Sequence, residues 1–351
     1  MFITGLGTAV PPRSFTQVQC AEALDRARHP ALTARTRAVL KGILTHDNGI
    51  ERRSLAVGDL DEGFLLDPDT LHRRFAEHAP RLAAEAARAA MAEAGLAPAA
   101  VDGLVISTCT GYLCPGLTSY VGEALGLRAD VIALDLVGQG CGAALPNLRT
   151  CEALLASRGC EHVVSVCVEV CSAAMYLDQD LGVLVSACLF GDGAAAAVCS
   201  RAPRAQGRTV RWRTATSLTD PSRRDALRFE QRGGMLRNIL TLPVPQMAGD
   251  FAKRAFTDCL AAEGIEPARI EAWILHAGGR KVLAELRSRL ALSAADVRHS
   301  AAVLREYGNL SSPFVLFVLA AALRDGAAPG LWWMSSFGAG FSCHGALLEV
   351  A

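Results

Sequence analysis

The sequence predicts an α/β protein made of two halves of similar plan. Three observations carry that reading. Strand-like apolar runs alternate with helix-like stretches from end to end, the strands are apolar along their whole length, and the pattern resumes after an arginine-rich break. With 351 residues, 51% hydrophobic and 20% charged, the chain can bury a large core.

In the first half, residues 79–95 are rich in Ala, Glu and Arg and read as a helix. The run 101–108 (VDGLVIST) follows as a buried strand, and 131–136 as another. A glycine-rich turn then leads into a helical stretch, 143–157, and 162–170 (HVVSVCVEV) is again a strand. The segment 201–213, with Pro203, Gly207 and several arginines, marks a composition shift, so the halves are expected at 1–205 and 206–351. In the second half 272–275 is a strand, 281–290 a helix, 311–323 a long apolar helix and 331–336 a strand. Continuous apolar strands between helices suggest a mainly parallel sheet covered on both faces.

Composition excludes several classes of function. Lys plus Arg equals Asp plus Glu at 35 each, which argues against nucleic-acid binding. No apolar run is long enough and free enough of charge to span a bilayer, and the start Met-Phe-Ile-Thr-Gly-Leu-Gly lacks the positive flank of a signal peptide. The twelve cysteines are scattered, without paired spacing for zinc, so reduced thiols in a cytoplasmic protein are expected and no metal.

One local feature carries chemistry. In Val137-Gly-Gln-Gly-Cys141-Gly, a strand gives way to a tight turn, and Cys141 sits where a helix is expected to begin. Amide groups and the helix dipole there would stabilise a thiolate or an oxyanion, although a cysteine packed beneath a turn gives the same pattern. A dinucleotide fingerprint fits poorly, because the third glycine is out of place. Among eight histidines, His276 alone ends a strand and opens a glycine turn (Ala277-Gly-Gly279) at the sheet edge, where α/β sites lie. The other seven read as surface or capping residues. Asn309, in Tyr307-Gly-Asn-Leu-Ser-Ser312, precedes the apolar helix and by itself reads as an N-cap. Together, a cysteine that can hold an acyl group and a His/Asn pair that can bind a thioester carbonyl suit decarboxylative Claisen condensation.

At these residues the sequence resembles the thiolase superfamily, specifically the type III polyketide synthases related to chalcone synthase. The resemblance runs through Asn48-Gly-Ile-Glu-Arg-Arg53, Cys109-Thr-Gly-Tyr-Leu-Cys-Pro-Gly116, the Cys141 turn, Leu189-Phe-Gly-Asp-Gly193, Gly234-Met-Leu-Arg237, His276-Ala-Gly-Gly279, Tyr307-Gly-Asn-Leu-Ser-Ser312 and Phe337-Gly-Ala-Gly340. The cysteine-containing motifs and Ser335–Ser342 look most like the bacterial branch that makes alkylresorcinols and alkylpyrones.

The resemblance implies a thiolase-like five-layered αβαβα fold acting as a homodimer, with acyl-CoA and malonyl-CoA as substrates and no cofactor. It implies Cys141 as nucleophile, kept ionised by His276, with His276 and Asn309 as the decarboxylation pair. Phe190 would be the gate between the CoA tunnel and the growing chain. Cys109, Ser311 and Glu169 match a ring-closing hydrogen-bonded cluster. Cys114 would reach across the dimer interface into the partner's cavity, and Gly278 and Gly279 would line the substrate site. A second gate phenylalanine of the plant enzymes is missing after Gly234-Met-Leu-Arg237. Lys41, Arg280 and Lys281 are candidates for the CoA phosphates. The expected activity is iterative condensation of a fatty acyl starter with malonyl units and cyclisation to an alkylresorcinol or alkylpyrone. A single-turn ketoacyl synthase of the priming type (ketoacyl synthase III-like) is the alternative.

Overall fold

The computed structural model describes residues 1–351. The first half runs β1 (Phe2–Ala9), β2 (Ser14–Thr16), α1 (Gln17–Arg26), α2 (Ala34–Thr45), β3 (Arg52–Ser54), α3 (Pro68–Ala94), β4 (Gly103–Ser107), α4 (Leu117–Leu125), β5 (Ile132–Leu136), α5 (Ala144–Ala156), β6 (His162–Glu169), α6 (Leu181–Leu189) and β7 (Gly193–Ser200). The second runs β8 (Val210–Thr219), β9 (Leu227–Arg232), β10 (Met235–Leu240), α7 (Val244–Glu263), β11 (Ile270–Leu275), α8 (Arg280–Leu290), α9 (Arg298–Tyr307), α10 (Phe314–Arg324), β12 (Gly330–Gly338) and β13 (Ser342–Val350).

Nine strands form one sheet in the order β11-β12-β13-β8-β1-β7-β6-β4-β5. The halves meet where β1 pairs with β8 through Phe2 and Ile3. Helices α3 and α4 cover strands of the first half, and α7 covers strands of the second with α8 packed on it. Helices α5 and α10 lie between the halves and touch strands of both. The layers are therefore helix, sheet, helix, sheet, helix.

Small residues set the spacing. Asp67 caps α3 by accepting from Thr70 N, Pro68 opens it, and Gly95 ends it in the left-handed region at φ 64°. Along its buried face run Ala83, Ala86, Ala87 and Ala90, against β1. A Cβ at Gly5 or Gly7 would stand 2.2 or 2.0 Å from a carbonyl oxygen of α3, so only glycine permits this approach.

The sheet is mixed rather than mainly parallel. Only β4–β5, β4–β6 and β11–β12 pair in parallel. The apolar continuity of strands such as β6 and β7 reports cover on both faces, which antiparallel neighbours share here. β5 also differs from the buried strand suggested by its apolar run: it is the outermost strand, and Ile132 and Leu134 are exposed. β9 and β10 pair only with each other, as a hairpin apart from the main sheet.

Candidate active site

Cys141 lies in a one-turn 3-10 segment, Gly140–Gly142, ahead of the α5 helix that starts at Ala144. Gly140 is in the left-handed region at φ 56°, and the turn packs on β12, where Ser336 Oγ donates to Gly142 O at 3.0 Å. His276 follows β11 and continues its ladder, its N–H donating to Ser335 O at 2.9 Å. The imidazole is held edge-on by Phe314 and Phe337, with ring centroids 5.2 and 5.0 Å away.

Asn309 is not a helix cap, since α10 begins five residues later with Pro313 before it. Its Nδ2 donates to Gly278 O at 3.0 Å and its Oδ1 accepts from Ser311 N at 2.9 Å. Its backbone bridges to the Phe190 segment, with Asn309 N on Leu189 O at 2.8 Å and Gly191 N on Asn309 O at 3.0 Å. One amide hydrogen of Asn309 is thereby used, and the second is free for a ligand.

Cys141, His276 and Asn309 line one cavity of about 570 Å³, with Asn48, Phe190, Asn238, Gly278, Gly279, Arg280 and Lys281 also in its wall. Gly278, at φ 61°, has Phe337 Cζ and His276 Nε2 where a Cβ would point, at 3.0 and 3.7 Å. Of the three candidate cations, Lys41 is outside this wall and pairs with Asp25 at 2.7 Å. Arg280 pairs with Asp47 at 2.6 Å, beside Lys281.

The electrostatics differ from the expectation of a resting thiolate. Burial pushes the Cys141 thiol up to about 12, opposed by the hydrogen bond from Ser311 Oγ at 3.2 Å. Burial pushes His276 down to about 3, so its imidazole is neutral. Both ring nitrogens of His276 are buried and unpartnered. Leaving such a group unpaired costs about 1–3 kcal/mol, which substrate can relieve.

On the other side of Cys141 is a chamber of about 50 Å³, walled by Cys109, Cys171, Phe190, Arg228, Phe229, Asn238 and Ser311 among others. It shares Cys109, Thr110, Gly140, Arg228, Phe229 and Ala339 with a wider cavity of about 870 Å³. Phe190 stands in the walls of both the chamber and the first cavity, a place suited to a gate. No aromatic replaces the missing second gate; Asn238 shares both walls with Phe190 instead.

Glu169, fully buried at the end of β6, collects donors from five residues. Ser312 Oγ donates at 2.5 Å, Thr110 Oγ1 at 2.9 Å, Cys109 N at 3.0 Å, Thr108 Oγ1 at 3.2 Å, Cys109 Sγ at 3.3 Å and, when its one hydrogen is turned away from Cys141, Ser311 Oγ at 3.4 Å. Desolvation still raises its carboxyl above the usual range. The matched cluster of Cys109, Ser311 and Glu169 is thus assembled. The sequence reading missed Thr108, Thr110 and Ser312, for which the polar run 107–110 (STCT) after an apolar strand was the available signal.

Cys114 is exposed and lines none of these cavities within one chain. Two histidines read as surface residues, His299 and His344, are buried, and His344 bonds Ser217 Oγ at 2.9 Å. All twelve cysteines are free. No group of three or more His, Cys, Asp or Glu side chains is placed to hold a metal ion, and no helix is long and apolar enough to cross a membrane.

Comparison with known proteins agrees with this geometry. Residues 66–225 match the family described as FAE1/Type III polyketide synthase-like protein, and 224–348 match the C-terminal domain of chalcone and stilbene synthases. The chain is 31% identical to a 3,5-dihydroxyphenylacetyl-CoA synthase of Streptomyces toyocaensis, over 99% of this chain and 89% of that protein. It is 30% identical to a 1,3,6,8-tetrahydroxynaphthalene synthase of Streptomyces peucetius subsp. caesius, over 99% and 92%. Among solved structures, PKS-I of the brown alga Ectocarpus siliculosus superposes with a TM-score of 0.89 at 25% identity, over 99% and 97% of the two chains.

Proposed function

The chain belongs to the type III polyketide synthases, acyltransferases that condense malonyl-CoA with loss of carbon dioxide, and on that premise we propose that Cys141 carries the acyl chain while His276 and Asn309 drive decarboxylation. The observation that carries this reading is the cavity shared by one thiol, one unpartnered imidazole and one half-used amide.

In loading, the Cys141 sulfur attacks the starter thioester and its proton passes through neutral His276 to the departing CoA sulfur. In extension, the malonyl thioester carbonyl accepts hydrogen bonds from the His276 N–H and the free Asn309 amide hydrogen. Carbon dioxide leaves, the enolate negative charge falls on that oxygen, and the enolate carbon attacks the acyl group on Cys141. Neutral His276 suits this step because it arrives with a proton to share and no charge to desolvate. Repetition gives a poly-β-keto chain, and the Glu169 cluster supports ring closure by holding a proton acceptor 3.4 Å from Ser311 Oγ.

The sequence pointed to a fatty acyl starter and an alkylresorcinol or alkylpyrone. The relatives' names carry both polyhydroxylated products and alpha-pyrones; the chamber of about 50 Å³ beside Cys141 supports a short acyl starter, and the cavity of about 870 Å³ that shares its wall leaves room for a longer one. A homodimer accords with the exposed edge strand β5 and the apolar groups around it, Tyr112, Tyr120, Ile132, Leu134 and Val137, near which exposed Cys114 would reach a partner.

Incubation with malonyl-CoA and a panel of acyl-CoAs, followed by product mass spectrometry, tests the proposal. Two or three malonyl units per starter are expected. One unit would identify a priming ketoacyl synthase, and absence of carbon dioxide release would overturn the assignment of His276 and Asn309.

A further inference from the structure

The chamber beside Cys141 has a single charged residue in its wall, Arg228 on β9. The other lining residues are apolar or neutral, so nothing anionic faces Arg228 from within the chamber. Arg228 also lines the wider cavity, placing it where the two spaces join.

Its guanidinium is only partly committed. Of its five N–H groups, one on Nη1 donates to Glu230 Oε2 at 2.9 Å. Nε is buried without a hydrogen-bond partner, although Asp225 Oδ1 is 3.1 Å away. The Asp225 side chain is 73% exposed, so water screens its charge. Nor is Arg228 needed to brace the hairpin. Glu230 is also held by Arg237 Nη1 at 3.1 Å, and Arg237 Nε in turn bonds Asp178 at 2.6 Å. Arg228 is thus ion-paired along its Nε and Nη1 side, with its side chain 35% exposed, and its Nη2 donors have no partner in the protein, leaving an edge of the guanidinium for a carboxylate.

Resting on the assignment of Cys141 as acyl carrier, we propose that Arg228 selects starters bearing a carboxylate at the end remote from the thioester. The substrate class is an ω-carboxyacyl-CoA, held by charge-assisted hydrogen bonds where an alkyl chain of equal length would leave the guanidinium unpaired. Arg228 acts on specificity and has no part in decarboxylation.

The test compares glutaryl-CoA with its ω-methyl ester as starters, reading Cys141 acylation by intact-protein mass spectrometry and kcat/KM by product formation. The wild-type protein should favour the free acid by about 10- to 100-fold. Arg228→Met should abolish or invert that ratio, and Arg228→Lys should keep part of it, while the methyl ester still acylates Cys141 in both. Equal use of acid and ester by the wild-type protein overturns the proposal without any variant, as does an unchanged ratio in Arg228→Met. If neither compound acylates Cys141 while another acyl-CoA does, this inference fails and the carrier assignment stands; if no acyl-CoA of the wider panel acylates Cys141, the carrier assignment fails, and this inference with it.

Discussion

Ser311 donates a hydrogen bond to the sulfur of Cys141 across 3.2 Å, joining residues 170 positions apart in sequence. The same hydroxyl lies 3.4 Å from Glu169 Oε1 and 3.6 Å from Cys109 Sγ. Ser311 is held there by a backbone in the left-handed region, at φ 59°, an uncommon state for a residue with a Cβ. Nucleophile and ring-closing cluster therefore share one serine.

That link governs thiol reactivity. With burial holding Cys141 near 12, alkylation by iodoacetamide should be slow at pH 6 and should accelerate up to about pH 9 and beyond. Ser311→Ala removes the one side-chain hydrogen bond that favours the thiolate and should slow labelling further at pH 8 to 9. Peptide mapping identifies the labelled cysteine. A rate that is flat from pH 6 upward would mean a resting thiolate.

Cys141→Ala should abolish acyl loading and leave the melting temperature nearly unchanged, a small residue replacing a small one. Replacing His276 by Ala or Asn309 by Ala should slow malonyl-CoA decarboxylation by about 10²- to 10³-fold, the usual loss for one oxyanion donor. Starter loading should suffer less in Asn309→Ala than in His276→Ala, because only His276 handles the thiol proton. Separate assays of carbon dioxide release and of the acyl-enzyme distinguish the two steps.

Glu169→Gln keeps the shape and removes the proton acceptor. Aldol-derived aromatic product should fall relative to the lactone formed without assistance, at similar total malonyl consumption. Chromatography with mass detection gives the ratio directly, and an unmoved ratio would put ring closure elsewhere.

Acid should weaken the fold through its buried histidines. Folding lowers His276 to about 3 and His344 to about 4 from 6.5, so between those limits the unfolded chain binds more protons. Stability is then complete above about pH 6.5 and declines as pH falls toward about 4. The buried carboxyls of Glu169 and Asp192, raised by desolvation, act with the opposite sign. His344→Gln isolates the histidine part and should flatten the fall of melting temperature over this range.

An interface on β5 predicts a dimer by analytical ultracentrifugation. Leu134→Lys should shift it toward monomer by placing a charge on the apolar edge.

Much of this was legible in the residues. The strands and helices around the site show as apolar runs and alanine-rich stretches, and Cys141, His276 and Asn309 stand out because a glycine lies within two residues of each. Strand direction was not legible, because cover on both faces gives β7 the same apolar run whichever way its neighbours point. Local sequence reveals a helix start near Cys141 but not the depth at which the sulfur lies, and burial there pushes the thiol up. The donors on Glu169 come from two places in the chain, residues 108–110 and 311–312, and only the fold brings them to it. Arg228 escaped notice because an arginine in a short polar strand looks like any solvated side chain until the chamber behind it is seen.

The β9–β10 hairpin supplies Leu227, Arg228, Phe229 and Asn238 to the chamber walls, yet pairs with no strand of the central sheet. Part of the chamber wall is thus carried by a ribbon that lies outside the sheet framing the fold. Substitutions within these fourteen residues, Leu227 to Leu240, can reshape the chamber wall while the strands β11 and β12 behind the condensing residues stay in register. Selection working on that ribbon can diversify chemistry without revisiting the architecture that makes the chemistry possible.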